Sequence, residues 1–175
     1  MKNYSEKIRK IALLGILGAL ALVLSFTESL IMPETTFLPL GAKPGLSNIV
    51  TMLVTESMGF FGGLYIVLLK AGFALVTRGG TAGLMSLSGG LLSLSVVALI
   101  LKINCRSITM TGIGVLSSCA HNAGQLIVSC ILTGTYALIN YAPFLMLFGI
   151  VTGVITGMIL QTVLPKIKKA AALSF

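Results

Sequence analysis

The chemistry open to this chain is concentrated in a few residues. "CAHNAGQL", residues 119–126, holds the only histidine, His121, followed closely by two amides, Asn122 and Gln125. Three cations stand apart from the basic clusters: Lys43, Lys70 and Arg78. Imidazole and amide groups donate and accept hydrogen bonds, and lysine or an arginine fork grips a carboxylate or phosphate. The set suits recognition of a small, polar, anionic ligand better than it suits catalysis. The chain has no aspartate and only four glutamates, Glu6, Glu28, Glu34 and Glu56, which excludes magnesium chemistry built on paired aspartates. No second histidine or aspartate can complete a metal site around His121. Cys105, Cys119 and Cys130 lack metal-ligand spacing and imply no disulfide, and no nucleophile–base pair is visible. The expectation is a protein that is not an enzyme and uses neither metal nor cofactor.

The elements that position these groups are membrane helices. The 175 residues are 56% hydrophobic and 9% charged, against about 25% charged in a soluble domain. Several apolar runs reach the roughly 18 to 20 residues that cross a bilayer. The spacing predicts an all-α integral membrane protein, a single transmembrane domain over residues 1–175, with six spans: 11–32, 45–57, 59–77, 83–101, 108–133 and 143–164. The first run follows Lys2, Lys7, Arg9 and Lys10, as a signal peptide would, but it is too long for one and is read as a retained helix. The net charge of +8 does not indicate nucleic acid, because the basic residues cluster at helix ends.

Those clusters set the orientation. Four basic residues precede the first span, Lys102 and Arg106 separate the fourth from the fifth, and Lys166, Lys168 and Lys169 follow the last. Cytoplasmic loops are enriched in lysine and arginine, so both termini are expected in the cytoplasm of a cell whose plasma membrane holds the protein. Residues 45–77 give roughly 50 Å of helix, short for two crossings of a core about 30 Å thick. Parity requires an even number of crossings there, and two short ones fit the apolar content, with Glu56 and Ser57 at the cytoplasmic turn.

At about 100° per residue, Gly114, Ser118, His121, Asn122, Gln125, Ser129 and Thr133 fall within one face of the fifth span. This stripe must face protein or water. An interhelical hydrogen-bond network is the plainer account, although such bonds average only about 0.6 kcal/mol. A ligand-lining face is the other, with Asn122 and Gln125 nearest the centre of the stripe and His121 suited equally to bracing or binding. His121 is also the one group expected to titrate near neutrality. Asn48, Thr51 and Thr55 form a smaller stripe on the second span. Lys70 either snorkels to the outer interface or points inward as a cation for an anion. "TRGGTAG", residues 77–83, reads as an outer loop in which Arg78 and nearby N–H groups can meet a phosphate or carboxylate. It lacks the lysine and spacing of a P-loop. The first outer loop, residues 33–45, carries Glu34 and Lys43 between prolines and can act as a lid. Glu28 can pair with Lys70 or Arg78.

Small residues mark packing ridges. Gly149, Gly153 and Gly157 recur every four residues in the last span, Ser86, Gly89, Gly90 and Ser93 lie in the fourth, and Ala12, Gly15 and Ala19 line the first. Each ridge can pack within the bundle, and the first can instead dock a partner membrane protein.

With these features in place, "LPLGAKPGLSNIVTM", "RGGTAGLMSLSGG" and "HNAGQL" resemble the Gx transporter family, many of whose members carry the name heptaprenyl diphosphate synthase component I. The wider pattern of short helices, long first outer loop and polar fifth helix is similar to substrate-binding (S) components of energy-coupling factor transporters. That resemblance implies an S-component-like bundle, a vitamin-like ligand bound under the outer loops, a transmembrane coupling protein docked on Ala12, Gly15 and Ala19, and a pair of partner ATPases. Lys43, Lys70, Arg78, His121, Asn122 and Gln125 are then the substrate-contact candidates. The synthase name conflicts with the residues if it means catalysis, since prenyl diphosphate synthases resemble one another in aspartate-rich motifs that this chain lacks. Two functions follow: a transporter subunit taking up a small anionic cofactor-like molecule, or a non-catalytic membrane accessory of isoprenoid or menaquinone side-chain synthesis.

Overall fold

The computed structural model describes residues 2–31, 45–103 and 108–170, with side chains described over 7–30, 45–103 and 108–167. Six α-helices occur: α1 Lys2–Ile31, α2 Asn48–Met58, α3 Phe60–Arg78, α4 Gly80–Ile103, α5 Met110–Thr133 and α6 Ala142–Ala170, the last preceded by a 3-10 turn over Ala137–Tyr141. Among the described residues there is no strand. Five helices are long and apolar enough to cross a membrane, all but α2. The chain is therefore an all-helical, multi-pass membrane protein.

Each of the six expected spans has a helix, but α2 is too short to cross a membrane as a helix by itself. Its 11 residues extend about 16 Å, roughly half of a core about 30 Å thick. Its apolar residues are explained by protein rather than lipid. Val50, Met52, Leu53 and Val54 are all buried, and α2 packs against each of the other five helices. A short apolar run is as often an internal helix as a span, and composition alone does not separate the two.

The five long helices form a ring around α2. Along it α1 packs on α3, α3 on α4, α4 on α5 and α5 on α6, whereas among the described residues α1 and α6 do not pack on each other. The ring is open between α1 and α6, and α2 floors the gap. The core gathers Leu17 and Ala21 of α1, Ile66 of α3, Val97 of α4, Ile113 of α5 and Leu160 of α6 around α2. Lys10 of α1 and Lys102 of α4 line one groove with the α2–α3 turn, so two of the basic clusters share one end of the bundle.

Two glycines make the tight reversals. Gly59 (φ +81°) ends α2, its N–H donating to the Thr55 carbonyl at 3.0 Å. Gly79 (φ +93°) ends α3, donating to the Leu75 carbonyl at 3.1 Å. Positive φ is inexpensive only for glycine. "TRGGTAG" is accordingly not an outer loop. Arg78 is the last residue of α3 and Gly80 the first of α4, so a single residue joins the helices and Arg78 is fixed at a helix end.

The ridges divide between two uses. Gly153 lies so close to α5 that a β-carbon there would stand 2.5 Å from Val115 Cα, and one at Gly157 would stand 2.5 Å from Thr111 Cα. The last-span ridge is thus internal packing. In α1 the inward contacts come from Leu17, Gly18 and Ala21, while Ala12, Gly15 and Ala19 are exposed, and nothing lies within 4 Å of a β-carbon built on Gly15.

Candidate functional site

The site forms where α2 begins. Gly45 (φ +79°) turns the chain into α2, its carbonyl accepting from Asn48 N at 2.9 Å. This end of α2 lies inside the protein, away from the end marked by Lys10 and Lys102. The opening N–H groups of a helix need acceptors, and the helix dipole favours negative charge there. Glu28 of α1 meets both needs. Its Oε1 accepts from Ser47 N at 3.2 Å and its Oε2 from Ser47 Oγ at 3.1 Å, with Glu28 only 3% exposed.

Lys70 of α3 points inward rather than snorkelling. It is 4% exposed, and its Nζ donates to Asn48 Oδ1 at 2.9 Å. From α5, His121 and Gln125 close the other wall, with Gln125 Nε2 donating to His121 Nε2 at 3.1 Å. That donation leaves the imidazole proton on Nδ1. Glu28, Ser47, Lys70, Arg78, Ser86, His121 and Gln125 line one cavity together with Ser25 and Ala82. Its volume is about 10 Å³, barely the space of one water. The space is small, and two cations, one carboxylate, one helix N-terminus, an imidazole and an amide meet around it.

The polar face of α5 splits between two neighbours. His121 and Gln125 turn to the cavity. Asn122 turns to α6, its Nδ2 donating to the Leu145 carbonyl at 2.7 Å, so it braces the α5–α6 contact and does not line the cavity. Ser118 and Ser129 are buried with them, while Thr133 at the helix end is exposed. Ser117, outside the projected stripe, shares a 2.7 Å hydrogen bond with Ser93 of α4. Lys43 lies outside the described residues. Lys70, Arg78, His121 and Gln125 are thus brought together, Asn122 stands behind them, and Ala12, Gly15 and Ala19 lie on the outward face of α1.

Several contributors are not evident from residue type. Ser47 is one, although Gly-Leu-Ser-Asn ahead of an apolar run is a helix-start signal. Gly89 is another. A β-carbon there would stand 2.8 Å from His121 Nδ1 and 2.9 Å from the His121 carbonyl oxygen. The glycine lets α4 approach the imidazole at backbone distance. Gly89→Ala is expected to displace the His121 ring and break its contact with Gln125, destabilising the protein by about 1–3 kcal/mol, the range for overpacking. The shift of the His121 imidazole resonances in detergent-solubilised protein, read beside the unfolding midpoint, checks this. Unchanged resonances would remove the proposed contact.

Buried polar atoms also remain without hydrogen-bond partners among the described residues: Asn48 Nδ2, Thr51 Oγ1, Ser118 Oγ and Asn122 Oδ1. Unpaired polar groups inside a protein are costly, and Asn48 stands at the edge of the cavity through its bond to Lys70.

No curated protein and no solved structure matches the chain. The family model described as heptaprenyl diphosphate synthase component I matches residues 17–163, a stretch that contains every residue lining the cavity. On that match the chain belongs to the heptaprenyl diphosphate synthase component I family.

Proposed function

We propose that this protein is a non-catalytic membrane component of isoprenoid diphosphate synthesis that holds an anionic, phosphate-bearing molecule at the start of α2. The observation that carries the reading is the burial of Lys70 beside a helix N-terminus, with Arg78 lining the same cavity. The positive end of a helix dipole and two cations suit a phosphate, and the Ser47 N–H and hydroxyl that now donate to Glu28 are the donors it would take over. In this arrangement the Glu28 carboxylate stands where an anionic oxygen of the ligand would be received. Binding then requires Glu28 to yield Ser47 and the cavity to widen. Among the described residues, helix α1, which carries Glu28, packs on α2 and α3 alone, and it is the wall least restrained by them. The whole chain is taken as one membrane domain in the cytoplasmic membrane, with both termini in the cytoplasm, because α2 carries the chain back from the Glu28 end of α1 to the end marked by Lys10 and Lys102.

Equilibrium binding of inorganic diphosphate to the purified protein tests the site. Arg78→Ala is expected to weaken it about 10- to 100-fold, as for loss of a charge-assisted hydrogen bond worth about 1.5–3 kcal/mol. Asn122→Ala is expected to leave affinity unchanged while lowering stability. Unaltered affinity in Arg78→Ala would remove the assignment. Recovery of a prenyltransferase subunit with the tagged protein would place the component in its pathway.

One observation favours a second reading, a substrate-binding subunit of an energy-coupling factor transporter. Ala12, Gly15 and Ala19 are exposed on α1, and such a small-residue face admits close approach of another helix. The partners would be a transmembrane coupling protein and a pair of ATPases, with the anionic nutrient entering from outside. Gly15→Leu should then abolish co-purification of those partners without changing stability. Co-purification of a prenyltransferase and no ATPase would decide against it.

A further inference from the structure

The opening in the helix ring has its own chemistry. Between α1 and α6 runs an apolar groove of about 310 Å³, lined by Leu20 and Leu24 of α1, Leu46 just ahead of α2, Leu53 of α2, and Ile159 and Val163 of α6. That volume lies at the lower end of the roughly 300–1,000 Å³ typical of small-molecule pockets. Leu20 and Ile159 are half-exposed, so the groove opens sideways toward lipid.

The groove and the polar cavity lie on consecutive residues. Leu24 lines the groove and Ser25 the cavity; Leu46 lines the groove and Ser47 the cavity. Hydrocarbon-lined space thus adjoins a site that carries two cations and a helix N-terminus. We infer that the groove between α1 and α6 holds the branched hydrocarbon chain of an anionic amphiphile, a prenyl-diphosphate-type molecule whose head is received at the start of α2 and which enters sideways from the bilayer. The inference rests on the reading of the cavity as an anion site, and it adds the chain, its binding surface and its route. The charge at one end argues for this occupant. A second copy of the chain or a neutral lipid would bring no negative charge to the end of the groove where Lys70 and Arg78 line the adjoining cavity.

A chain leaving lipid for the groove gains no hydrophobic free energy, because lipid tails are as apolar as leucine. Selectivity must come from fit and from the anchored head. For the same reason, tighter binding of a prenyl diphosphate than of inorganic diphosphate is not diagnostic, since the chain also concentrates in the membrane. The difference between wild type and groove-blocked protein is diagnostic.

Binding of farnesyl diphosphate and of inorganic diphosphate is measured on the full chain in phosphatidylcholine nanodiscs, for wild type, Leu20→Trp and Ile159→Trp. Both substitutions start from half-exposed positions, where added bulk fills the groove rather than the core. The expected result is about tenfold weaker farnesyl diphosphate binding in each variant with inorganic diphosphate unaffected. Equal farnesyl diphosphate affinity in wild type and variants overturns the groove and leaves the anion site standing. Absence of inorganic diphosphate binding by the wild type overturns the anion site itself. A benzophenone-bearing prenyl diphosphate provides a second readout on the unmodified chain. Crosslinks confined to Leu17–Leu24 and Thr156–Val163 support the assignment, and crosslinks elsewhere overturn it. Phosphatidylglycerol in the nanodisc distinguishes the source of the amphiphile. If it displaces farnesyl diphosphate at equimolar concentration, the groove is an ordinary anionic-lipid site and the inference fails; retention of farnesyl diphosphate supports it.

Discussion

Gly153→Leu is expected to lose about 3 kcal/mol of stability or more and to separate α6 from α5. A β-carbon at Gly153 meets Val115 Cα at 2.5 Å, the Gly114 carbonyl oxygen at 2.7 Å and Val115 N at 2.8 Å. Every one of these is backbone. A crowded side chain can rotate away, but a crowded helix must translate. Overpacking typically costs about 1–3 kcal/mol, occasionally more, and contact with a rigid backbone argues for the upper end. The translation would also pull Asn122 from the Leu145 carbonyl, now 2.7 Å away, leaving another unpaired amide in the interior. The matched control is Gly15→Leu, for which nothing lies within 4 Å of the new β-carbon. That change should stay within about 0.5 kcal/mol, as for substitutions away from packed features. Unfolding by sodium dodecyl sulfate in mixed micelles, followed by circular dichroism, measures both. Equal stability of the two variants would mean that α5 and α6 do not meet through this ridge.

The contrast between these two glycines shows where sequence reasoning reaches its end. Both belong to four-residue ridges of small residues, and both suit close approach of a helix. Only the neighbours decide the use. In α6 the neighbour is α5, whereas the Gly15 face of α1 meets no other helix of the described chain. Helix positions were legible for a related reason. Apolar runs and the turn glycines Gly59 and Gly79 act locally, and α3, α4 and α5 lie close to the expected spans, whereas α1 begins at Lys2 and α6 continues to Ala170, both past the apolar runs. The character of α2 was not legible, because burial among five helices and burial in lipid select the same apolar residues. What distinguishes them is length and the partners at its N-terminus, and those partners come from α1 and α3, distant in sequence.

The cavity divides in the same way. Periodicity placed His121, Asn122 and Gln125 on one polar face of α5, and all three are buried. It could not say that a single face about 120° wide contacts two different neighbours, with Gln125 meeting the cavity and Asn122 meeting α6. Lys70 shows the complementary case. Its position in an apolar run is compatible with snorkelling or with an inward turn, and Asn48 at the start of α2 supplies the acceptor that holds it inside.

Lys70→Met is expected to destabilise the protein by about 3–5 kcal/mol, the penalty for stranding a buried charge by removing its counter-charge. Lys70 and Glu28 line the same nearly closed cavity, and both are almost fully buried. Without the ammonium, Asn48 Oδ1 loses its donor and Glu28 keeps its negative charge in a site with little room for water. Glu28→Gln should cost less, since the amide oxygen still accepts from Ser47 and the side-chain shape is kept. The informative variant is the double change, Glu28→Gln with Lys70→Met, which removes both charges at near-constant volume. Coupled neighbours are non-additive, so the double variant should be more stable than Lys70→Met alone. A loss equal to the sum of the two single losses would show that the charges act independently, and the cavity would no longer be an electrostatic unit. Diphosphate binding then separates stability from function. The double variant is expected to fold and yet to bind inorganic diphosphate at least about tenfold more weakly, because a charge-assisted contact worth about 1.5–3 kcal/mol is gone. If it binds as tightly as wild type, Lys70 serves only to balance Glu28, and the anion is received elsewhere.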